Sequence, residues 1–222
     1  MRRAVVAALL LGLGLSSAVR AAGARISGVA HVVDGDTILL GDTRIRLHGI
    51  DAPESDQSCN ARGGGIWACG KEATRVLADM LAGHVVTCEA TALDRYGRTV
   101  ARCFLGSADI QADMVRHGLA WAFVKYSRDY VGQEAEARAA GLGIWQAETT
   151  PAWDYRAMRW AEYDKTAPAG CPIKGNVNGH GEKIYHLPWG RDYAKVKMDL
   201  TKGKRWFCSE GEAEQAGWRP AR

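Results

Sequence analysis

Residues 31–54 set the acids Asp34, Asp36, Asp51 and Glu54 and the arginines Arg44 and Arg46 among apolar strand formers. Paired carboxylates such as Asp36 and Asp51 offer the hard oxygen ligands that a cation like calcium prefers. Arginine's planar fork donates to two oxygens of an anionic phosphoester at once. Two such forks and a divalent cation stabilise negative charge where it develops on an attacked phosphorus. A further carboxylate then takes or directs the proton of the attacking water. A second arginine candidate stands in Asp94-Arg-Tyr-Gly-Arg98, so the chain supplies each part. The six His are scattered, and no Ser-His-Asp or Cys-His arrangement competes.

The elements that must carry these groups are strands. Val32, Val33 and Ile38 to Leu40 flank Asp34-Gly35, a hairpin-turn signal, and Gly41-Asp42 marks a second turn. The next strand alternates, with Ile45 and Leu47 on one face and Arg44, Arg46 and His48 on the other. Arg46 is thus held on a rigid strand, pointing away from the apolar side. Asp51-Ala-Pro-Glu54 follows as that strand ends, because Pro53 cannot donate to a ladder. The plain alternative is a half-exposed hairpin with solvated charges; the third block at Asp94–Arg98 tells against it.

Val33-Asp-Gly-Asp-Thr37, Arg46-Leu-His-Gly-Ile-Asp-Ala-Pro-Glu54 and Asp94-Arg-Tyr-Gly-Arg98 resemble, in order and internal spacing, the three signature blocks of the thermonuclease (staphylococcal-nuclease-like) family. The likeness runs from about Ile26 to Trp145. It implies an α+β fold: a five-stranded OB-type β-barrel with three helices. It also implies a calcium-dependent phosphodiesterase acting on DNA and RNA and leaving 3′-phosphate ends. Carried across residue by residue, Asp36 and Asp51 match calcium-ligand carboxylates, and Glu54 matches the residue that activates or orients water. Arg46 and Arg98 match the phosphate-binding arginines, and Tyr96 and Tyr126 align with tyrosines that contact the nucleotide. Ala52 departs from the family pattern, where Thr is found, but the position offers the metal its backbone carbonyl, which Ala also has. A noncatalytic OB-type binding module is the alternative, since such barrels often only bind. Loss of Glu54 or of either arginine would favour it, and all three are present.

The remaining chain supplies context. Met1-Arg-Arg3, an apolar run from Ala4 to Leu15 and a small-residue stretch to Ala24 read as a secretory signal peptide, which places the mature protein in the periplasm or outside a bacterial cell. No other stretch is long and apolar enough for a membrane span. Removing residues 1–21 takes the formal net charge from +4 to +1, with 26 basic against 25 acidic residues. Residues 22–170 carry 16 basic and 19 acidic groups, and residues 171–222 carry 10 and 6. A slightly acidic domain still binds nucleic acid through a local Arg cluster, with a cation offsetting its acids.

Six cysteines in an exported chain point to disulfides. Cys59 and Cys69 bracket one loop. In a hairpin closed at Asp94–Gly97 paired residue numbers sum to 191, as 88 and 103 do, so Cys88 faces Cys103. Cys171 and Cys208 remain for each other. No Cys-x-x-Cys spacing supports a metal site instead.

Apolar spacing at Ala73, Val76, Leu77, Met80 and Leu81 predicts a core-packing helix over Gly70–Gly83. Strands are expected at Val85–Glu89 and Thr99–Leu105, helices at Ser107–His117 and Val131–Ala140, and an aromatic extended stretch at Leu119–Tyr126. The division expected is a nuclease domain over 25–146, a connector over 147–170 with a short helix at Tyr155–Tyr163, and a basic, aromatic disulfide-linked module over 171–222. Ser209-x-x-Glu212 reads as a capping box in that module. The module is either a tether for DNA or a surface polymer, or a stabilising cap on the barrel. A monomer is expected.

Overall fold

The computed structural model describes residues 23–94 and 98–221. The leader assigned to residues 1–24 lies almost wholly outside the described residues, and so does Tyr96. Strands β1 (Arg25–Asp34), β2 (Thr37–Leu40), β3 (Thr43–Leu47), β4 (Val85–Leu93) and β5 (Thr99–Leu105) form a barrel. β1 pairs antiparallel with β2 and with β4, β2 with β3, and β4 with β5. The parallel pairing of β3 with β5 closes the ring, Ile45 opposite Thr99 and Leu47 opposite Ala101. Closure removes the sheet edges and lets alternate side chains fill the interior. Ile38, Leu40, Ile45, Leu47, Val86, Ala101 and Cys103 do so, leaving Arg44, Arg46 and His48 on the outer face.

Among the described residues two helices pack on the barrel and a third packs on the second of them. Helix α1 (Cys69–Leu81) buries Ala73, Leu77 and Leu81, with Val76 and Met80 partly buried beside them. It ends two residues before Gly83, which takes φ +73°. Helix α2 (Ile110–Arg116) starts later than the Ser107 expected. Asp109 takes the cap by accepting from the Ala112 N–H (2.9 Å), while Ala108–Asp109 pairs back onto β5. Helix α3 (Val131–Ala140) ends on left-handed Gly141. The stretch expected to be extended from Leu119 is strand only at Trp121–Ala122; beyond it the chain turns, Tyr126 N–H donating to Phe123 O (2.9 Å).

The β4–β5 ladder follows the 191 rule from Thr87↔Phe104 through Cys88↔Cys103 to Ala90↔Ala101. A bulge between Ala90 and Ala92 then shifts the register, and β4 runs on to Leu93, four residues beyond the end expected at Glu89. Disulfides join Cys59 to Cys69, Cys88 to Cys103 and Cys171 to Cys208.

Residues 152–164 form a 13-residue helix, α4, longer than the short one expected because it begins directly after Pro151. Beyond it a second small sheet is built from β6 (Ile173–Val177), β7 (Lys183–His186), β8 (Arg205–Phe207) and β9 (Arg219–Pro220), ordered β8-β6-β7-β9. Helix α5 (Glu210–Gln215) is capped by Ser209 Oγ, which accepts from Glu212 N–H (3.2 Å). Glu212 returns a carboxylate oxygen to Cys208 N–H (2.9 Å), one residue earlier than a standard box. Ile173, Tyr185, Phe207, Ala213 and Trp218 are its core.

The Cys171–Cys208 bridge closes a 37-residue loop around a small core, and a loop of that size contributes about 3–4 kcal/mol. Replacing both cysteines with alanine is therefore expected to melt the module's near-ultraviolet aromatic signal at a lower temperature than the barrel's; a single unchanged transition contradicts this. A Cβ on Gly70 would lie 1.7 Å from the Glu54 carbonyl oxygen, whereas one on Gly132 of α3 would meet nothing within 4 Å. Thermal denaturation should show Gly70→Ala destabilised by about 1–3 kcal/mol through overpacking. Gly132→Ala should be neutral or more stable by about 0.5–1 kcal/mol.

Candidate active site

The barrel's topology brings Asp36 and Asp51 together. Asp36 sits in the β1–β2 turn, and its carbonyl accepts from Leu47 N–H (2.8 Å) at the end of β3. Asp51 pairs with Trp121 and Ile50 with Ala122 in a two-strand bridge, while Phe123 N–H donates to Gly49 O (2.8 Å). The residue after Asp51, Ala52, donates its N–H to Asp36 Oδ2 (2.8 Å). Gly35 is required here because a Cβ would strike those of Ala52 (2.7 Å) and Ala73 (2.9 Å). The turn thus approaches Ala52 and α1 more closely than any side chain permits.

Both carboxylates are buried, Asp36 2% exposed and Asp51 fully enclosed. Arg46, projecting from the outer face of β3, bridges them: one Nη bonds Asp36 Oδ1 and the other Asp51 Oδ1 (2.6 Å). Burial pushes the Asp36 carboxyl up to about 7, with Arg46 opposing and the charges of Asp34 and Asp51 adding to the rise. Glu54 follows on the same segment. Its carboxyl is pushed up to about 8, chiefly by burial and against the pull of Arg156.

Glu54 is braced by residues that no local pattern singles out. Gln57, 1% exposed, accepts from Glu54 N–H at Oε1 (3.1 Å) and donates from Nε2 to Thr150 O (2.8 Å). Gln57 N–H donates to Glu54 O (2.8 Å), and Gly70 N–H of α1 donates to Gln57 O (3.2 Å). The Cys59–Cys69 bridge ties the intervening loop to the start of α1.

Arg156 on α4 also reaches this centre. Its Nη1 donates to Asp51 Oδ1 (3.0 Å) and Glu54 Oε1 (2.6 Å), and its Nη2 to Asp51 Oδ2 (2.8 Å). Nothing in the sequence blocks pointed to this residue. The available signal was a face of α4, Trp153, Arg156 and Trp160 at i, i+3 and i+7, carrying one cation among aromatics. Around it, Tyr155 Oη donates to Asp56 (3.1 Å), and Trp153 stacks on Phe123 (5.6 Å between centroids, 6° between planes).

A cleft of about 1150 Å³ runs over these groups. Arg46, Glu54, Arg98 and Tyr126 line its barrel side; Trp153, Arg156, Trp160, Trp189 and Glu214 line the other. Arg98 bonds Asp94 through both its backbone N–H (2.9 Å) and Nε (2.6 Å), which orients it at the mouth of the β4–β5 hairpin. Tyr126 is 70% exposed and meets Phe123 edge-on (4.9 Å). The cleft thus gathers Arg46, Glu54, Arg98 and Tyr126, with Asp36 and Asp51 buried beneath through Arg46. Tyr96 is outside the described residues.

These oxygen donors suit a hard cation. Asp36 and Asp51 are close enough to share one guanidinium, Ala52 is hydrogen-bonded to the first, and their negative charge is buried. Among the described residues they do not form a closed cage of three His, Cys, Asp or Glu ligands, so a backbone carbonyl and water would have to complete the shell.

Residues 44–147 match the family model described as staphylococcal nuclease homologue. The chain is 36% identical over 162 residues to a succinoglycan biosynthesis protein, ExoI, of Rhizobium meliloti, covering 70% of this chain and 81% of that protein. It is 33% identical to an uncharacterized endonuclease of Haemophilus influenzae (62% of this chain, 73% of the relative). An uncharacterized endonuclease of Escherichia coli is 35% identical (58% and 82%). With the closed five-stranded barrel and the gathered arginine–carboxylate cluster, these likenesses establish that the chain belongs to the staphylococcal nuclease homologue family.

Proposed function

We propose that this protein is a calcium-dependent endonuclease that hydrolyses phosphodiester bonds in DNA and RNA and leaves 3′-phosphate ends. The observation that carries the reading is the single guanidinium of Arg46 joined to buried Asp36 and Asp51, beside Glu54 and in one cleft with Arg98. Asp36, Asp51 and the Ala52 carbonyl would hold the cation, which when bound would supply Lewis-acid stabilisation of the phosphoryl oxygens. Arg46 and Arg98 donate to the phosphate as charge grows on its equatorial oxygens. Glu54, held by Gln57 and α1, orients water and takes its proton. Tyr126, with Tyr96, offers ring faces for sequence-tolerant base stacking.

In this reading residues 1–24 are a leader, residues 25–146 carry the chemistry, and 147–170 join them to the accessory module of 171–222. The protein works as a monomer in the periplasm or outside the cell. The basic leader and apolar run support export, and the three disulfides fit an oxidising compartment. No helix among the described residues is long and apolar enough to cross a membrane.

The direct test is cleavage of DNA and RNA by residues 25–222 with calcium, with magnesium and with chelator. Calcium-dependent cleavage is expected, reduced about 100-fold or more in Glu54→Gln and in Arg46→Ala. A folded protein that binds nucleic acid but leaves it intact under every condition is a binding module instead.

The raised Glu54 carboxyl adds a pH dependence. Its folded value lies above the ordinary 4.5, so the stability it contributes is complete below that value and is lost as pH rises through about 8. In chelator the melting temperature should fall between pH 5 and pH 9, and fall less in Glu54→Gln. Equal slopes for the two proteins contradict the assignment.

A further inference from the structure

Arg156 lies outside the segment matched by the family model, yet it makes three hydrogen bonds to the two carboxylates at the centre of the site. It takes both oxygens of Asp51 and one of Glu54. These are lone pairs that a cation and its water would use.

Helix α4 does not depend on Arg156 for its position. Trp153 stacks on Phe123 and meets Trp121 edge-on (5.9 Å), Tyr155 bonds Asp56, and Gln57 bonds Thr150 just before the helix. Buried Ala152 packs with Cys59, Cys69, Trp121 and Ile144. The guanidinium can therefore leave the carboxylates by side-chain rotation while the helix stays docked. Its side chain is 22% exposed and lines the cleft that also holds Arg46 and Arg98. A substrate phosphate entering there meets a fork shaped for two of its oxygens.

Charge dictates the exchange. Asp51 accepts from Arg46 and Arg156 together, so a divalent cation arriving at Asp51 meets two guanidinium charges. Like charges at such separations disfavour one another unless an anion is added. A phosphodiester is that anion. We propose that Arg156 is a further functional residue of this site, one that holds Asp51 and Glu54 in the free protein, competes with the cation for them, and passes to a phosphate of the incoming nucleic acid. The assignment rests on the calcium reading given above. Its consequence is linkage: cation and nucleic acid bind more tightly together than separately, by a reciprocal factor.

Calcium titration calorimetry on the full mature chain tests this without any cleavage. Wild type, Arg156→Gln, Arg156→Lys and Asp51→Asn are titrated alone and then with a cleavage-resistant phosphorothioate oligonucleotide. Arg156→Gln is expected to bind calcium at least about tenfold tighter than wild type when no nucleic acid is present. The oligonucleotide should tighten calcium binding in wild type by a larger factor than in Arg156→Gln. If Arg156→Gln fails to fold, Arg156→Lys carries the test, since it keeps the charge but lacks the fork, and tighter calcium binding than wild type is expected. Calcium affinity unchanged or weakened in the folded variants overturns the role of Arg156. If Asp51→Asn binds calcium as wild type does, or wild type binds none even with the oligonucleotide, the calcium reading itself fails.

Discussion

Two buried carboxylates share one arginine, and the rest of the molecule is arranged so that they can. Asp36 and Asp51 are held where water cannot solvate them, and at Asp36 this burial disfavours the charged carboxylate unless a cation is supplied. Arg46 supplies it from the rigid outer face of β3. The geometry depends on barrel closure. The β1–β2 turn sets Asp36, the bridge from Ile50–Asp51 to Trp121–Ala122 sets Asp51, and the Ala52 N–H couples the two. Gly35 and Gly70 mark the places where backbone must come closer than a Cβ allows, one at Ala52 and one at Glu54. A cluster built this way is preorganised, which on the proposed function leaves little rearrangement for the moment when charge would develop on a phosphate.

The second half of the chain is coupled to this centre through α4. Its first turns are docked by Trp153 on Phe123 and Trp121, and Arg156 then reaches into the carboxylates. Its later turns meet the small sheet, Trp160 near Trp189 and Tyr163 near Tyr193. The cleft accordingly has one wall of barrel arginines and another of α4 and module aromatics. Aromatic faces opposite guanidinium groups make a combination that single-stranded nucleic acid can use, with backbone on cations and bases on rings.

Much of this was legible because it is local. Alternation placed Arg46 opposite Ile45 and Leu47, and residue-number arithmetic paired Cys88 with Cys103 although the hairpin closes one residue later, on Leu93↔Thr99, because the bulge between Ala90 and Ala92 absorbs that extra residue. Where local signals competed, boundaries moved: Asp109 outbid Ser107 as the α2 cap because its carboxylate reaches the Ala112 N–H. What escaped the sequence is long-range. Gln57 reads as an ordinary polar loop residue until Thr150 is seen beside it, and Arg156 stands 105 residues from Asp51. No periodicity encodes such a contact. Only the docking of α4, set by scattered tryptophans, brings it about.

On the proposed function, cation and phosphate meet at the Asp36–Asp51–Arg46 cluster. The most direct measurement is a crystal structure of the mature chain with calcium and a cleavage-resistant oligonucleotide. Calcium is expected about 2.3–2.6 Å from carboxylate oxygens of Asp36 and Asp51 and from the Ala52 carbonyl, with a phosphate between Arg46 and Arg98. Calcium bound away from both aspartates, or an oligonucleotide lying across the small sheet with no phosphate at Arg46, would contradict it.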